Sequence, residues 1–385
     1  SPVVDLVAAA AAAELVPAQA KGFPAGLAVS ENGRLQFSKD GGRLFFGIAA
    51  APKPEPKDAP EPVKVDIWNW KDPDLQPMQK VQAEADRKKT LTCVVHFLPK
   101  ERKFVQLATA DVPEIRLSED AKVALGTSDL PYRQLVSWDQ GYSDVYLVNV
   151  QDGSKKKILE KTPGGASLSP GGAWVSYFND PDNTWYTYRV ADGKTFNLTG
   201  RLPVRFDEEE WDTPDEPTPY GAAGWTDGDK SILVYDRYDI WELSPDGAKS
   251  RMVTNGLGRK DKLVFRYVRL DPDMPAIPAG GPLVLQTTND KTLATGAYRV
   301  DLAAPTADQA KIVMLDKQID ARGLLKAKNT DTFVFTWQRF DEFPDLWVSG
   351  PDFAAARKVS NANPQQAEYN WGKAERIEYA NADGK

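Results

Sequence analysis

Short apolar runs alternate with short polar turns along this chain, and two phrases keep returning. The first phrase is an apolar residue, a Ser or Thr, a polar turn, then an apolar run. It reads LQFSKDGGRLFFG at 35–47, IRLSEDAKVALG at 115–126, ASLSPGGAWVSYF at 166–178 and AGWTDGDKSILVY at 223–235. LLKAKNTDTFVFT at 324–336 is a weaker copy, with Ala327 in place of the hydroxyl residue. The second phrase is an aromatic run, an Asp-containing tight turn and a polar run. It reads KVDIWNWKDPD at 64–74, SDVYLVNVQDGSKKKIL at 143–159, NTWYTYRVADGKTFNLT at 183–199, YDIWELSPDGAKSRMVT at 238–254 and DLWVSGPDFAAARKVS at 345–360.

Runs of this length between Gly, Pro, Asp and Asn turns predict strands joined by tight turns. Ser118, Ser169 and Thr226 stand at a period of roughly 50 residues. A degraded copy occupies GGPLVLQTTND and TGAYRVDL within 280–302, and the Pro-rich stretch AAAPKPEPKDAPEP at 49–62 lengthens the first interval. A repeat of that period with about four short strands predicts an all-β fold, a β-propeller of four-stranded blades. Six units are recognisable, and the blade number, about six to eight, stays open. Residues 1–34 read as a remnant of an earlier blade or a helix, 35–362 as the blades, and 363–385 as an exit linker. An α/β fold would need long amphipathic helices between strands. The only helical patterns are the alanine run at 8–13 and PMQKVQAEADRKK at 77–89.

Composition agrees with strands: the chain of 385 residues carries 11 Trp, 13 Tyr and 15 Phe, with 28 Gly and 29 Pro for turns. The net charge of −7 argues against a nucleic-acid partner. The basic run Lys155, Lys156, Lys157 reads as a solvated strand edge. No apolar stretch is long enough to predict a membrane span, and the first residues lack the basic start of a signal peptide. The chain is therefore expected to be mature or a fragment.

Chemistry is sparse. The one histidine, His96, lies in the apolar run LTCVVHF and reads as a packed strand residue, as does the one cysteine, Cys93. GASLS at 165–169 is not a nucleophile elbow. No phosphate loop, dinucleotide fingerprint or zinc spacing is present, so no cofactor and no metal is expected. NDPDN at 179–183 and TDGD at 226–229 read as blade turns rather than calcium loops. One cluster stands out. RFDEEEWDTPDEP at 205–217 carries Asp207, Glu208, Glu209, Glu210, Asp212, Asp215 and Glu216 in a long connection between blades. These acids repel one another unless a cation comes near. They form either a lip that binds a peptide's free amine or a solvated acidic loop.

The units containing LSPGGAWVSY and GWTDGDKSILVYDRYDIWELSPDG resemble the propeller blades of the prolyl oligopeptidase family of serine peptidases, closest to its dipeptidyl-peptidase-like and acylaminoacyl-peptidase-like branch. The passage VSNANPQQAEYNWGKAERIEYANADGK at 359–385 is similar to the family's exit from its last blade, where Asp-Gly-Lys leads into an α/β-hydrolase domain. The resemblance covers roughly 30–385. It implies a non-catalytic propeller portion that gates and docks peptide substrates above its own hydrolase domain, which this chain lacks. In the dipeptidyl branch it also implies paired glutamates that bind the substrate N-terminus, for which Glu208, Glu209 and Glu210 are the candidates. It suggests an exported bacterial enzyme, periplasmic or secreted, with a cytoplasmic location and a homo-oligomer left open. Other propellers, such as the translocation protein TolB, share the Ser-Pro-Asp-Gly phrase. A stand-alone propeller that binds a protein or peptide is the alternative.

Overall fold

The hydroxyl residue of the first phrase caps its turn in the four stronger copies. The structure is a computed structural model that describes residues 21–51, 65–98, 101–303, 310–315, 318–319, 324–353, 355–375 and 377–384. In it Ser38 Oγ accepts the Arg43 N–H at 3.0 Å and donates to Asp40 Oδ1 at 2.5 Å, while Asp40 Oδ1 accepts the Gly42 N–H at 3.0 Å. Ser118 and Asp120 repeat the arrangement against Lys122 and Val123. Ser169 Oγ accepts from Trp174 N–H, and Thr226 Oγ1 from Ser231 N–H, each at 3.0 Å. Each turn thus satisfies part of its own backbone through its hydroxyl residue, and the Glu119 and Asp227 N–H groups reach the carbonyls of Pro170 and Ile277 outside their turns.

Six sheets follow one another among the described residues. Blade I holds β1 (Leu27–Val29), β2 (Gln36–Phe37), β3 (Arg43–Ala50), β4 (Leu91–Phe97) and β5 (Arg102–Gln106), with helix α1 (Gln76–Arg87) between β3 and β4. Blade II holds β6 (Glu114–Leu117), β7 (Val123–Ser128), β8 (Ser143–Asn149) and β9 (Lys155–Thr162). Blade III holds β10 (Ala166–Leu168), β11 (Trp174–Asn179), β12 (Thr184–Arg189) and β13 (Thr195–Asn197). Blade IV holds β14 (Ala222–Trp225), β15 (Ile232–Tyr235), β16 (Ile240–Leu243) and β17 (Ser250–Met252), followed by α2 (Leu257–Asp261). Blade V holds β18 (Leu263–Tyr267), β19 (Pro282–Asn289), β20 (Thr295–Asp301) and β21 (Ala310–Leu315). Blade VI holds β22 (Gln318–Ile319), β23 (Leu325–Lys326), β24 (Phe333–Arg339), β25 (Glu342–Ser349) and β26 (Arg357–Lys358).

Every sheet is an antiparallel meander in chain order, and the fold class is all-β, built of β-propeller blades. In blades I and VI the first strand is split in two, so β1 and β2 both pair with β3, and β22 and β23 both pair with β24. Two compact units divide the chain, 1–175 and 176–385. No helix among the described residues is long and apolar enough to cross a membrane.

Two readings of blade I change. KVDIWNWKDPD forms no strand over its described residues. The second hairpin of blade I is β4–β5, so His96 and Cys93 sit where the aromatic phrase was expected. Both are buried, and His96 Nε2 lies 2.9 Å from the Val150 carbonyl of blade II. Burial pushes the Cys93 thiol up to about 12. Part of the expected N-terminal remnant, Leu27–Val29, is a strand of blade I itself. The alanine run at 8–13 and residues 52–62 of the Pro-rich stretch lie outside the described residues.

Within each unit the blades pack through their apolar faces. In the first, Phe45, Val94 and Val105 of blade I meet Ala124 and Val148 of blade II. In the second, Leu233 and Ile240 of blade IV meet Phe265, Leu285 and Tyr298 of blade V, and Val284 and Ala297 of blade V meet Phe333, Phe335 and Trp337 of blade VI. Turns seal these contacts. Gly153 has φ +74, and a Cβ there would stand 2.5 Å from the Gln106 carbonyl of the preceding blade. Gly247 has φ +68 and would stand 2.9 Å from that of Asn197. Only glycine meets both the conformation and the approach.

The second phrase carries its own clamp. Asp239 accepts from Thr254 Oγ1 at 2.6 Å and from the Gly258 and Arg259 N–H groups at 3.0 and 2.9 Å, and Thr254 Oγ1 accepts the Ile240 N–H. Asp345 does the same in blade VI with Ser360 Oγ and the Ala362 N–H, and adds Lys358 Nζ at 2.5 Å. Asp144 holds Tyr132, Lys157 and Lys161 in blade II. The carboxylate at the aromatic strand therefore ties the third strand to the fourth or to the segment after it. The Lys358 contact and then Ser360 hold the Asp345 carboxyl down at about 2, against an ordinary 3.8. A depressed carboxyl stabilises the fold above its unfolded value and loses that contribution as the pH falls through the folded value. Acid titration of the wild type followed by circular dichroism is expected to lose stability between about pH 4 and pH 2 more steeply than Asp345→Asn. The variant should be less stable at neutral pH. Parallel acid limbs for the two proteins would show that the clamp carries no charge-linked stability.

Candidate functional site

The acidic run 205–217 lies in the connection from β13 to β14; it holds one cation of its own, Arg205, and the second unit supplies others. Asp207 is buried and accepts Arg205 Nε at 3.2 Å. Glu208 and Glu209 are half-buried, because the connection folds back on itself. The Glu208 N–H donates to the Thr218 carbonyl, and the Glu209 N–H to Tyr220 Oη at 2.8 Å. The Glu209 carboxylate takes both arms of Arg259, at 2.6 and 3.2 Å. Glu210 is exposed and reaches Arg237 Nη1 at 2.6 Å. Glu208 pairs with no cation among the described residues. Asp212, Asp215 and Glu216 point to solvent, with Asp215 accepting the Trp211 indole N–H.

Arg237 and Arg259 come from two other connections. Arg237 sits in the turn between β15 and β16, where buried Asp236 accepts the N–H groups of Tyr238 and Asp239 and the Trp241 indole N–H. Arg259 is placed by α2, whose backbone is held by Asp239. The Arg237 guanidinium also reaches Asp290 at 3.0 Å, and so does the Tyr238 hydroxyl. Tyr238 is the hub. Arg237, Arg259 and Lys262 lie over its ring at 5.1, 5.3 and 5.0 Å. Burial, and then the hydrogen bond to Asp290, push its phenol up to about 12. Trp241 packs edge-on against Phe206, as expected of a scaffold residue.

Next to this network stands a cation without an anion. Arg266 of β18 lies over the Tyr235 ring at 4.6 Å and the Tyr220 ring at 5.9 Å. It donates to the carbonyls of Phe265 and Arg237 at 2.8 and 3.4 Å and pairs with no carboxylate among the described residues. Burial lowers its pKa. The unit thus holds a half-buried carboxylate, Glu208, and a half-buried guanidinium, Arg266, each lacking an ionic partner among the described residues. The sequence reading found the glutamates but missed Arg237, Arg259, Arg266 and Tyr238. The one available signal was the dense phrase YDRYD at 235–239, which puts an arginine between two aromatics in a turn.

Among the described residues no Ser-His-carboxylate arrangement is formed, because His96 is buried against a backbone carbonyl. No protein-family model matches the chain, and no curated protein matches it. Solved structures do. Dipeptidyl peptidase 4 of Porphyromonas gingivalis matches at 12% identity and a TM-score of 0.43, over 87% of this chain and 48% of that one. The acylaminoacyl peptidase of Pyrococcus horikoshii matches at 11% and 0.37, over 88% and 46%. A putative TolB from Agrobacterium tumefaciens matches at 12% and 0.29, over 85% and 79%. The chain spans about half the length of the two peptidases. Likenesses this low carry no information on activity.

A buried charge without a partner costs stability, and an apolar residue of similar length removes that cost. Arg266→Met is therefore expected to leave the urea midpoint unchanged or to raise it. Arg259→Met, which strands Glu209, is expected to lower it. If the two variants are destabilised alike, Arg266 is a structural residue.

Proposed function

We propose that the chain is the non-catalytic propeller portion of a prolyl-oligopeptidase-family serine peptidase, gating and docking peptide substrates above an α/β-hydrolase domain. The blade phrases and the exit passage support the family. The observation that carries the docking role is Glu208. It is a half-buried carboxylate without a counter-ion among the described residues, beside Glu209 and Glu210, which Arg259 and Arg237 already neutralise. A peptide ammonium group would give Glu208 the cation it lacks, through a charge-assisted hydrogen bond. In this reading the three glutamates have different roles. Glu208 takes the amine, while Glu209 and Glu210 hold the arginines that frame it. The substrate is then a peptide with a free N-terminus, and the location is periplasmic or secreted.

A stand-alone TolB-like propeller is the second reading. The self-capped Ser-Pro-Asp-Gly turn at 244–247 is compatible with it, since that phrase serves blade packing in either kind of protein.

Two measurements test the proposal. The reading frame beyond Lys385 is expected to encode a G-x-S-x-G-G within ~200 residues, about one domain length; a stop codon there overturns the peptidase reading and leaves the stand-alone one. In the full-length enzyme, Glu208→Gln is expected to slow cleavage of free-amine peptides by about tenfold, the scale of one charge-assisted hydrogen bond. N-acetylated peptides should be unaffected. Equal losses on both substrates would remove the amine site.

A further inference from the structure

In the first unit, two connections meet far along the chain from the acidic run. One runs from β3 to β4 and carries Trp68 and Trp70 ahead of α1. The other runs from β7 to β8 and carries Trp138. Between them is a cavity of about 300 Å³, at the small end of ligand pockets. The three indoles are 66%, 85% and 72% exposed. Such exposure is unusual for the largest apolar side chain, and none of these rings stacks on another aromatic ring among the described residues.

The cleft is a built feature. Gln134 of the second connection donates to the carbonyls of Trp70 and Asp72 in the first, and Arg133 pairs with Asp74 at 3.7 Å. Gln79 of α1 donates to the Asp74 carbonyl at 2.7 Å and to Asp72 Oδ2 at 3.1 Å. The rings are therefore displayed on braced segments.

Charge decides what the cleft suits. Asp66 pairs with Lys80, Asp74 and Asp129 share Arg133, and Lys71 lies over the Trp70 ring at 5.3 Å. A ligand charge aimed at Asp66, Asp74 or Asp129 would have to displace these pairs. What remains open is indole faces with their N–H edges, apart from the Trp70 face that Lys71 covers, the Asn69 amide N–H₂, the Ser137 hydroxyl and one Asp72 carboxylate oxygen able to accept a hydroxyl. Flat apolar faces edged by neutral donors complement a pyranose, which has C–H faces and an equatorial belt of hydroxyls. We propose that Trp68, Trp70 and Trp138 form a binding site for a neutral saccharide, with the sugar ring stacked on indole and its hydroxyls held by Asn69, Ser137 and Asp72. The site is independent of the peptide-docking role of the second unit.

The test titrates the full chain with cellohexaose, chitohexaose and mannohexaose by calorimetry, with hexaproline and tetramethylammonium as the peptide and cation probes. Saturable binding of at least one hexaose is expected. It should be weakened about tenfold or more by Trp70→Ala and by Trp138→Ala, one from each connection. Trp371→Ala, an exposed indole outside the cleft, should leave it unchanged. Because all three rings are exposed, these variants should keep the wild-type circular dichroism. No binding of any hexaose overturns the proposal, as does binding that survives both cleft variants. Hexaproline or tetramethylammonium binding with the same tryptophan dependence also overturns it.

Discussion

A four-stranded sheet has two faces and cannot cover either one itself. Everything else in this structure follows from that constraint. The aromatic and branched residues of each blade are buried only when a neighbouring blade lies against them, as Phe265 and Tyr298 lie against blade IV and Phe333 and Phe335 against blade V. Close stacking requires turns whose backbone polar groups are satisfied. Ser38, Ser118, Ser169 and Thr226 provide that by capping their own turns. Gly153 and Gly247 go further and let one blade's turn touch the backbone of the blade before it.

The same economy governs charge in the second unit. A run of acids that would repel in an isolated peptide is folded so that arginines from two other connections meet it. Compensation is local and incomplete. Glu209 and Glu210 are matched, Glu208 is not, and Arg266 is stacked on tyrosines without a carboxylate. Residual imbalance of this kind marks a place where an outside group can lower the free energy.

The repeat, and with it the fold class, was legible because its cause is local. A hydroxyl followed by a polar turn is a capped turn, and an Asp before an aromatic strand is a clamp. Where the cause is not local, the sequence misled. Ile67, Trp68 and Trp70 alternate like a strand, but alternation yields a strand only where an edge is free to pair. The edge of β3 is taken by β4, beyond an insertion that contains α1. Blade V looked degraded because its first two strands are joined by a long connection, 268–281, in place of the capped turn. The acidic run showed its glutamates but not their arginines, since Arg237 and Arg259 arrive from segments that no short window joins to it.

In a meander, connections alternate between the two ends of the strands. The turns within the first and third hairpins are short and self-capped in most blades. The β3–β4 and β7–β8 segments, the acidic run, the Arg237 turn and α2 all belong to the other set. The molecule therefore separates what must stay constant from what can change. One set of connections is mostly committed to assembly, with the long 268–281 connection of blade V as its exception. The other can be lengthened, exchanged or grafted blade by blade without reopening the core, which makes each blade a socket for a new surface.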